Sequence, residues 1–282
     1  MKSSSADPID IALAEDVGSG DITSDFFVPK NCRSVARIVA RQRAILAGAQ
    51  TAADVFGRVD PNLKLRACRK DGDELNGGDT VLEIEGATRS ILRGERVALN
   101  FLQRLSGIAT MTRKFVNAAA NEHVKILDTR KMTPGLRALE KAAVVAGGGT
   151  NHRFGLFDMV LIKDNHLAAI TGFDELAKAV RKFRDTHPKV QIEVEADTLE
   201  QVHGFLEIAG IDVILLDNMK PAEIREAIAL GKNKVKFEAS GGITLQNIRQ
   251  IAATGVDFIS IGAITHSAPA IDFSLEIANA GA

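Results

Sequence analysis

The sequence predicts an α/β protein, with a small α+β N-terminal domain followed by an incomplete TIM-like α/β barrel. Residues 34–86 contain several short strand patterns, and after residue 123 apolar strands alternate strictly with helical stretches. Six such strand-then-helix units favour a parallel sheet that closes like a barrel, but they are too few to complete one. We place the domains at 1–115 and 116–267 and expect a C-terminal helix over 268–282, with packing against the N-terminal domain as an option.

The N-terminal domain begins with helical spacing over residues 9–15, and the DVGSGDIT segment that follows is a turn. Strand patterns over 34–86 enclose polar turns and one short helix at ADVFGR. Residues 88–120 then carry leucines at helical spacing, which predicts one long helix, with a break near Ser106–Gly107 compatible with the pattern.

In the barrel domain, most of the predicted strands end in polar side chains. A parallel barrel gathers the carboxyl ends of its strands at one rim, where catalytic groups are found. We therefore expect these groups to converge on one pocket. In chain order they are Asp128, Arg130 and Lys131; Lys163 and Asp164; Glu195 and Asp197; Asp217 and Asn218; Glu238 and Ser240; and Gly262 at the last strand.

The stretch from Gly147 to His166, GGGTNHRFGLFDMVLIKDNH, predicts an anion site, because glycines allow close backbone approach and basic groups flank a short strand. Arginine captures carboxylates or phosphates through two parallel hydrogen bonds, and lysine acts as a point charge. Ion pairing with nearby aspartates remains open for some of these cations. The cations of the predicted rim are Arg130, Lys131, His152, Arg153 and Lys163.

Two further features of the rim point to a phosphorylated substrate. The glycine-bearing loops at Ser240–Gly241 and at Gly262 follow the last two strands, where barrels commonly bind phosphate. Glu195 and Asp217 end neighbouring strands, and their oxygens suit Mg²⁺ held together with substrate phosphates, or stabilisation of a cationic transition state.

Composition excludes several function classes. The 282 residues carry a net charge of −1, with no Trp or Tyr, so neither a basic field nor stacking platforms favour nucleic acid. No segment has the apolar length of a signal peptide or a membrane span, and the two cysteines lack metal or disulfide spacing. We expect a cytoplasmic protein that binds neither nucleic acid nor membrane.

Long ordered motifs identify a family. These motifs are EDVGSGDITS, GERVALNFLQRLSGIAT, ILDTRK with TPGLR, GGGTNHRFG with DMVLIKDNH, EVEADTLEQ, ILLDN, EASGGI and GVDFISIGAITHS. Through them the chain resembles quinolinate phosphoribosyltransferase, also called carboxylating nicotinate-nucleotide pyrophosphorylase, over nearly its whole length.

The resemblance implies transfer of phosphoribosyl from phosphoribosyl pyrophosphate to quinolinate with decarboxylation, in a homodimer, or a higher oligomer, with shared active sites. It implies that Arg96 reaches the neighbouring subunit's site and that Lys131 lies near the reacting centre. Glu195 and Asp217 would act in catalysis and hold Mg²⁺. Quinolinate would be bound by Arg130, His152, Arg153 and Lys163, and the 5-phosphate by Ser240, Gly241 and Gly262.

The chain departs from the family pattern at three positions. Ala142 and Val145 stand where an aromatic residue and an arginine are usual, and Met132 replaces a usual threonine or serine. Loss of the arginine removes a positive charge, so we expect weakened or compensated binding of the dicarboxylate.

Three alternatives remain open on the sequence. A paralogous phosphoribosyltransferase or pyrophosphorylase would act on another heteroaromatic acid. A Schiff-base lyase would use Lys131 or Lys163 as an imine-forming amine. A non-catalytic binding protein on an inherited barrel would agree with the changes at 142 and 145, but not with the retained acidic pair.

Overall fold

A computed structural model describes residues 7–231 and 234–278. The chain forms two compact units, each built from separate stretches of sequence. Of the described residues, the first unit takes those up to Arg113, Met132–Gly148 and those from Ile264 onward, and the second takes Lys114–Lys131 and Gly149–Ala263. This division lies close to the predicted boundary at 115, but it differs in assigning 132–148 and 264–267 to the first unit.

The helices and strands follow one another in an order close to the predicted one. The helices are α1 (Pro8–Val17), α2 (Ile22–Phe27), α3 (Ala49–Val59), α4 (Thr88–Ala119), α5 (Arg137–Ala146), α6 (Asp164–Leu167), α7 (Gly172–Thr186), α8 (Leu199–Leu206), α9 (Pro221–Gly231), α10 (Ile248–Ala252) and α11 (Ala263–His266). The strands are β1 (Arg33–Ala40), β2 (Ala44–Ile45), β3 (Lys64–Ala67), β4 (Glu74–Leu75), β5 (Thr80–Ala87), β6 (Lys125–Leu127), β7 (Val160–Ile162), β8 (Ile192–Ala196), β9 (Val213–Asp217), β10 (Lys236–Ser240), β11 (Phe258–Ser260) and β12 (Phe273–Ala278).

The first unit is built on a four-stranded antiparallel sheet with strand order β12-β1-β5-β3. β1 alternates between buried residues such as Ala36 and Ile38 and outward ones such as Arg37, as expected for a strand with one face on a core. In the same core, Gly94 of α4 lies against Phe56 of α3 so closely that a Cβ there would sit 2.7 Å from the ring. α4 continues without a break through Ser106–Gly107.

The prediction of a C-terminal helix over 268–282 is wrong for the described residues. Residues 273–278 form β12, which pairs antiparallel with β1 from Val35 to Ala40. The physical reason is that Phe273, Leu275 and Ile277 alternate with polar neighbours, a period that suits a strand and not a helix. Residues 279–282 of that prediction lie outside the described part of the chain.

The second unit contains the predicted parallel sheet of six strands, in the order β6-β11-β10-β9-β8-β7. Within this sheet, β6, the first strand in sequence, pairs with β11, the last. The sheet therefore has the cyclic strand order of a barrel, and β6 and β7 are its two edge strands. An isolated parallel bridge joins Leu127 of β6 to Thr150, a residue of the segment that connects β6 to β7. The predicted fold class is confirmed.

Within residues 7–231 and 234–278, no helix combines the length and apolar character needed to cross a membrane.

One charged pair joins distant segments of the first unit. Glu140 of α5 is fully buried and accepts hydrogen bonds from Arg104 of α4 at 2.8 and 3.0 Å. Arg104 also donates to the main-chain oxygen of Thr265, at 2.5 Å. The pair therefore fixes α4, α5 and α11 relative to one another.

We expect Arg104→Ala to lower the free energy of unfolding by about 3 kcal/mol, because it leaves a buried carboxylate without its cation. Urea unfolding followed by circular dichroism measures the change. Lys64→Ala, which removes an exposed pair with Glu85, is the matched control and should have little effect. Equal effects of the two substitutions would contradict a structural role for the buried pair.

Candidate active site

A cavity of about 470 Å³ lies at the carboxyl ends of the parallel strands. Its lining contains most of the predicted site residues: Arg130, Lys131, His152, Arg153, Lys163, Glu195, Asp217 and Ser240. Gly241 directly follows Ser240, and Gly262 precedes α11. Arg96 is exposed on the part of α4 that belongs to the first unit. Convergence of the strand ends, predicted from the parallel topology, is therefore observed for these eight side chains.

The basic side of the cavity comes from β6 and from the segment that precedes β7. Asp128, at the end of β6, is fully buried and accepts a hydrogen bond from the main-chain N–H of His152 at 2.9 Å. Thr150 pairs with the same strand through main-chain hydrogen bonds to Ile126 and Asp128. These contacts bring His152 and Arg153 beside Arg130 and Lys131, although more than twenty residues separate them in sequence.

The two arginines form a site with a preference for anions. Burial lowers the pKa of Arg153, the charge of Arg130 lowers it further, and the carboxylates of Glu193 and Asp158 oppose the shift. Arg130 Nε is buried and has no hydrogen-bond partner among the described residues. Two crowded guanidinium groups, one with an unused buried donor, are stabilised by a carboxylate or phosphate ligand.

The acidic side of the cavity comes from β8 and β9. Glu195 accepts a hydrogen bond from Lys163 Nζ at 2.5 Å. Burial raises the pKa of Asp217, and the charges of Glu195 and Asp197 raise it further, while Lys163 and Asn218 oppose the shift. Carboxylates that repel one another in this way fit a divalent cation with oxygen ligands, so Glu195 and Asp217 could hold Mg²⁺.

Within the barrel, His152 contacts Glu238, which the sequence predicts at the rim, and Glu193, which sequence reasoning does not assign to the site. His152 Nδ1 accepts the main-chain N–H of Arg153 at 2.7 Å, and Nε2 lies 3.0 Å from Glu193 Oε2 and 3.5 Å from Glu238 Oε2. Burial acts to lower the pKa of His152, but the hydrogen bond to Glu193 and the charges of Glu238 and Asp128 raise it overall. Both ring nitrogens face protein groups, so a role for His152 in binding quinolinate stays a prediction.

A signal for Glu193 is present in the sequence. Glu193 and Glu195 are two residues apart in a strand, so both side chains point to the same face, and that face is buried. Acidic residues on the buried face of a strand seldom serve packing alone. The pattern Glu-Val-Glu therefore indicates a second acidic side chain inside the barrel, two residues nearer than Glu195 to the amino end of β8.

The loops after β9 and β10 pack tightly against each other. Asn218 N–H donates to the main-chain oxygen of Ser240 at 2.9 Å. Gly241 has φ +87°, and a Cβ there would lie 2.2 Å from Asn218 Oδ1, so both conformation and space require glycine. The backbone at Ser240–Gly241 is thereby held beside the acidic pair. Ala142 and Val145, the positions of the family departures, are exposed on α5 and are not among the described residues that line the cavity.

We expect Asp217→Asn to raise the Tm of the ligand-free protein near neutral pH. The folded-state pKa of Asp217 is raised, so its ionised form costs stability above that pKa, and the cost disappears as the pH falls toward the ordinary value of about 4. The Tm difference from wild type should therefore shrink on acidification, as measured by differential scanning calorimetry. Asp185→Asn, an exposed change on α7, is the control, and a difference constant with pH would contradict the assignment.

The family models of quinolinate phosphoribosyl transferase match residues 21–106, for the N-terminal domain, and 108–276, for the C-terminal domain. A probable nicotinate-nucleotide pyrophosphorylase (carboxylating) from Bacillus subtilis (strain 168) is 47% identical over 264 residues, covering 93% of this chain and 90% of the relative. The chloroplastic nicotinate-nucleotide pyrophosphorylase (carboxylating) of Arabidopsis thaliana is 42% identical over 285 residues, covering 95% and 81%.

The crystal structure of NadC from Streptococcus pyogenes superposes with a TM-score of 0.90 at 40% identity, covering 96% of this chain and 95% of that one. Fold, motifs and sequence identity thus agree over nearly the full length. The chain belongs to the quinolinate phosphoribosyltransferase family.

Proposed function

We propose that the protein transfers the phosphoribosyl group of phosphoribosyl pyrophosphate to quinolinate with decarboxylation, giving nicotinate mononucleotide, pyrophosphate and CO₂, a step of de novo NAD biosynthesis. One observation carries this proposal: a single cavity presents Arg130, Lys131 and Arg153 on one side and Glu195 and Asp217 on the other. The first side suits a planar dicarboxylate, and the second suits a ribose that becomes cationic. The names of the relatives agree with this chemistry.

Quinolinate would lie with its two carboxylates on the basic side. Arg130 and Arg153 each offer a planar fork of donors, and Lys163 adds a point charge. Lys163 is held by Glu195 in this structure, so binding would draw its ammonium group toward the substrate or use its charge from where it lies. His152 borders the same part of the cavity. This arrangement orients the ring nitrogen toward the acidic side.

Phosphoribosyl pyrophosphate would occupy the acidic side, with its 5-phosphate at Ser240, Gly241 and Gly262. The lone pair of the pyridine nitrogen attacks the anomeric carbon while the bond to pyrophosphate breaks, and Glu195 and Asp217 stabilise the positive charge on the ribose. Mg²⁺ held by the same two carboxylates would neutralise charge on the departing pyrophosphate. Lys131 lines the same cavity, where its ammonium group would lie near the reacting centre and attract the leaving group.

Decarboxylation follows because the alkylated ring nitrogen is positively charged. The bond between the ring and the neighbouring carboxylate breaks, its electron pair stays on the ring carbon, and CO₂ leaves. Arg130 and Arg153 would hold the ring in one orientation throughout, so that no second binding event is required.

The alternatives receive less support. A paralogue for another acid would not need this density of cations, and the named relatives act on quinolinate or form nicotinate nucleotide. A Schiff-base lyase needs a neutral amine, whereas Lys163 is engaged in an ion pair with Glu195. A non-catalytic protein would have no reason to keep Glu195 and Asp217 in mutual repulsion.

We also propose a homodimer in which Arg96 enters the partner's site, within the cytoplasm. Exposed aromatic side chains support an interface, since large apolar groups on the surface favour association. In α2, Phe26 and Phe27 are 82% and 76% exposed, and in the loop before β7, Phe157 is 81% exposed. Each of the two units therefore contributes apolar surface.

Product analysis tests the activity. With phosphoribosyl pyrophosphate and Mg²⁺, we expect quinolinate to yield nicotinate mononucleotide and CO₂ in equal amounts. Nicotinate should react at least about tenfold more slowly, since a charge-assisted hydrogen bond to the missing carboxylate contributes roughly 1.5–3 kcal/mol. Absence of any product from quinolinate would overturn the proposal in favour of the paralogue or the binding protein.

Mixed dimers test the shared site. Arg96→Ala and Lys131→Ala should each be inactive alone, but a mixture refolded together should regain about a quarter of the wild-type activity, as random pairing leaves one intact site in half of the dimers. Activity is measured as pyrophosphate release. Lys131 and Glu195 lie in the same cavity of one subunit, so in a mixture of Lys131→Ala and Glu195→Ala every site lacks one of the two side chains. That mixture should not recover activity. Failure of the first mixture to recover would place Arg96 outside the partner's site.

A further inference from the structure

Two carboxylates lie buried inside the parallel sheet, on β8 and β10. Glu193 is fully buried and Glu238 is 2% exposed. Oε1 of each glutamate has no hydrogen-bond partner among the described residues, whereas Glu193 Oε2 lies 3.0 Å from His152 Nε2. One ligating atom from each glutamate and one from His152 lie within 4.8 Å of one another. Buried carboxylates with an unsatisfied oxygen are costly, so their presence calls for a chemical role.

The hydrogen bonding of His152 argues against a metal ion at this cluster. Its Nδ1 accepts the N–H of Arg153, so the ring proton resides on Nε2, which faces Glu193. A nitrogen that carries a proton cannot ligate a metal ion. We therefore interpret His152, Glu193 and Glu238 as a proton-sharing cluster, in which the Nε2–H of His152 lies between the two carboxyl groups.

Charge requires one of the two glutamates to be protonated, since neighbouring carboxylates in a buried site do not both ionise. Burial raises the pKa of Glu238 to about 8, and the charge of Glu193 contributes, while His152 and a hydrogen bond from Ser260 oppose the shift. Glu193, on the neighbouring strand β8, acts electrostatically on Arg153, whose pKa it acts to raise. Near neutral pH, Glu238 is thus a neutral acid with a proton to give.

Two cavities meet at this cluster. Glu238 and His152 line the substrate cavity described above. They also line a second cavity of about 450 Å³, together with Val213 and Phe258 at the amino ends of their strands. The second cavity includes the exposed side chains of Lys125 and Lys189, so it communicates with solvent. Glu238 therefore borders the substrate on one side and a separate aqueous route on the other.

We propose that Glu238 is the acid that protonates the ring carbon left by CO₂, and that it regains its proton through the cavity at the amino ends of the strands. This inference rests on the proposed function. When the carbon–carboxylate bond breaks, the electron pair on the ring carbon takes the proton of the Glu238 carboxyl group, forming a C–H bond and leaving a carboxylate. The carboxylate then takes up one proton from bulk solvent through the second cavity, directly or by way of His152. Each turnover thus consumes one solvent proton, which ends in the new C–H bond, so atoms and charge balance over the cycle.

The position of the donor has a physical advantage. Bound quinolinate and phosphoribosyl pyrophosphate fill the substrate cavity, and the cations around the ring are poor proton donors. A neutral carboxylic acid in a dry site transfers a proton to a carbanion readily. Protons that arrive through the cavity at the amino ends of the strands can reprotonate Glu238 while the substrate cavity at the carboxyl ends stays filled.

Single-turnover kinetics on the full chain test the proposal. Pyrophosphate release reports ring transfer, and nicotinate mononucleotide formation reports decarboxylation with protonation. In Glu238→Gln we expect the first rate to be kept within a few-fold and the second to fall roughly 100-fold or more, the contribution typical of general acid catalysis. Glu226→Gln, an exposed carboxylate of α9, is the control and should match wild type in both rates.

Wild-type protein alone provides a second test that needs no variant to fold. The nicotinate mononucleotide step should be slower in D₂O and should decline as pH rises through about 8, as Glu238 loses its proton. A wild-type second step independent of pH between about 6 and 9, or an unchanged second rate in folded Glu238→Gln, would overturn the proton-donor role. No pyrophosphate from wild type with quinolinate would instead overturn the proposed function itself.

Discussion

The pairing of β6 with β11 is the constraint on which the site depends, because it places the first strand of the parallel array beside the last. Arg130 and Lys131, at the end of the first strand, come to the same cavity as Ser240 and Ser260 from the last two. The array ends at β6 and β7, and the segment that carries His152 and Arg153 enters between them, attached to β6 through Asp128 and Thr150. The basic side of the cavity is thus a consequence of strand order.

Groups of like charge are crowded on each side of this cavity, and each group has a nearby residue of opposite charge. Arg130 and Arg153 repel each other, and Glu193 below them lowers the energy of that arrangement. Glu195 and Asp217 repel each other in turn, and Lys163 moderates them. A ligand of opposite charge would relieve the remaining repulsion in each cluster. Such a site is preorganised for substrates that bring carboxylates to the arginines and a developing cation to Glu195 and Asp217.

Local patterns in the sequence were sufficient to predict the parallel array and the side chains at its carboxyl edge. Strand alternation and the end positions of Lys163, Glu195 and Asp217 are local properties, and the structure places all three in one cavity. Glu193 and β12 also had local signals, the Glu-Val-Glu pattern and the alternation over 273–277, which the sequence predictions do not use. The return of 132–148 to the first unit, by contrast, depends on contacts between residues far apart in sequence. Arg96 was assigned only by resemblance, because its proposed target lies on another chain.

The antiparallel pairing of β12 with β1 also determines the order of events during synthesis. β1 is complete by residue 40, but the strand that covers its edge is made of residues 273–278. At roughly 5–20 residues per second on the ribosome, the edge of β1 would stay unpaired for about ten seconds or more. An exposed strand edge is a template for pairing with other chains, so the nascent first unit is vulnerable to aggregation until residues 273–278 have been made and have paired with β1.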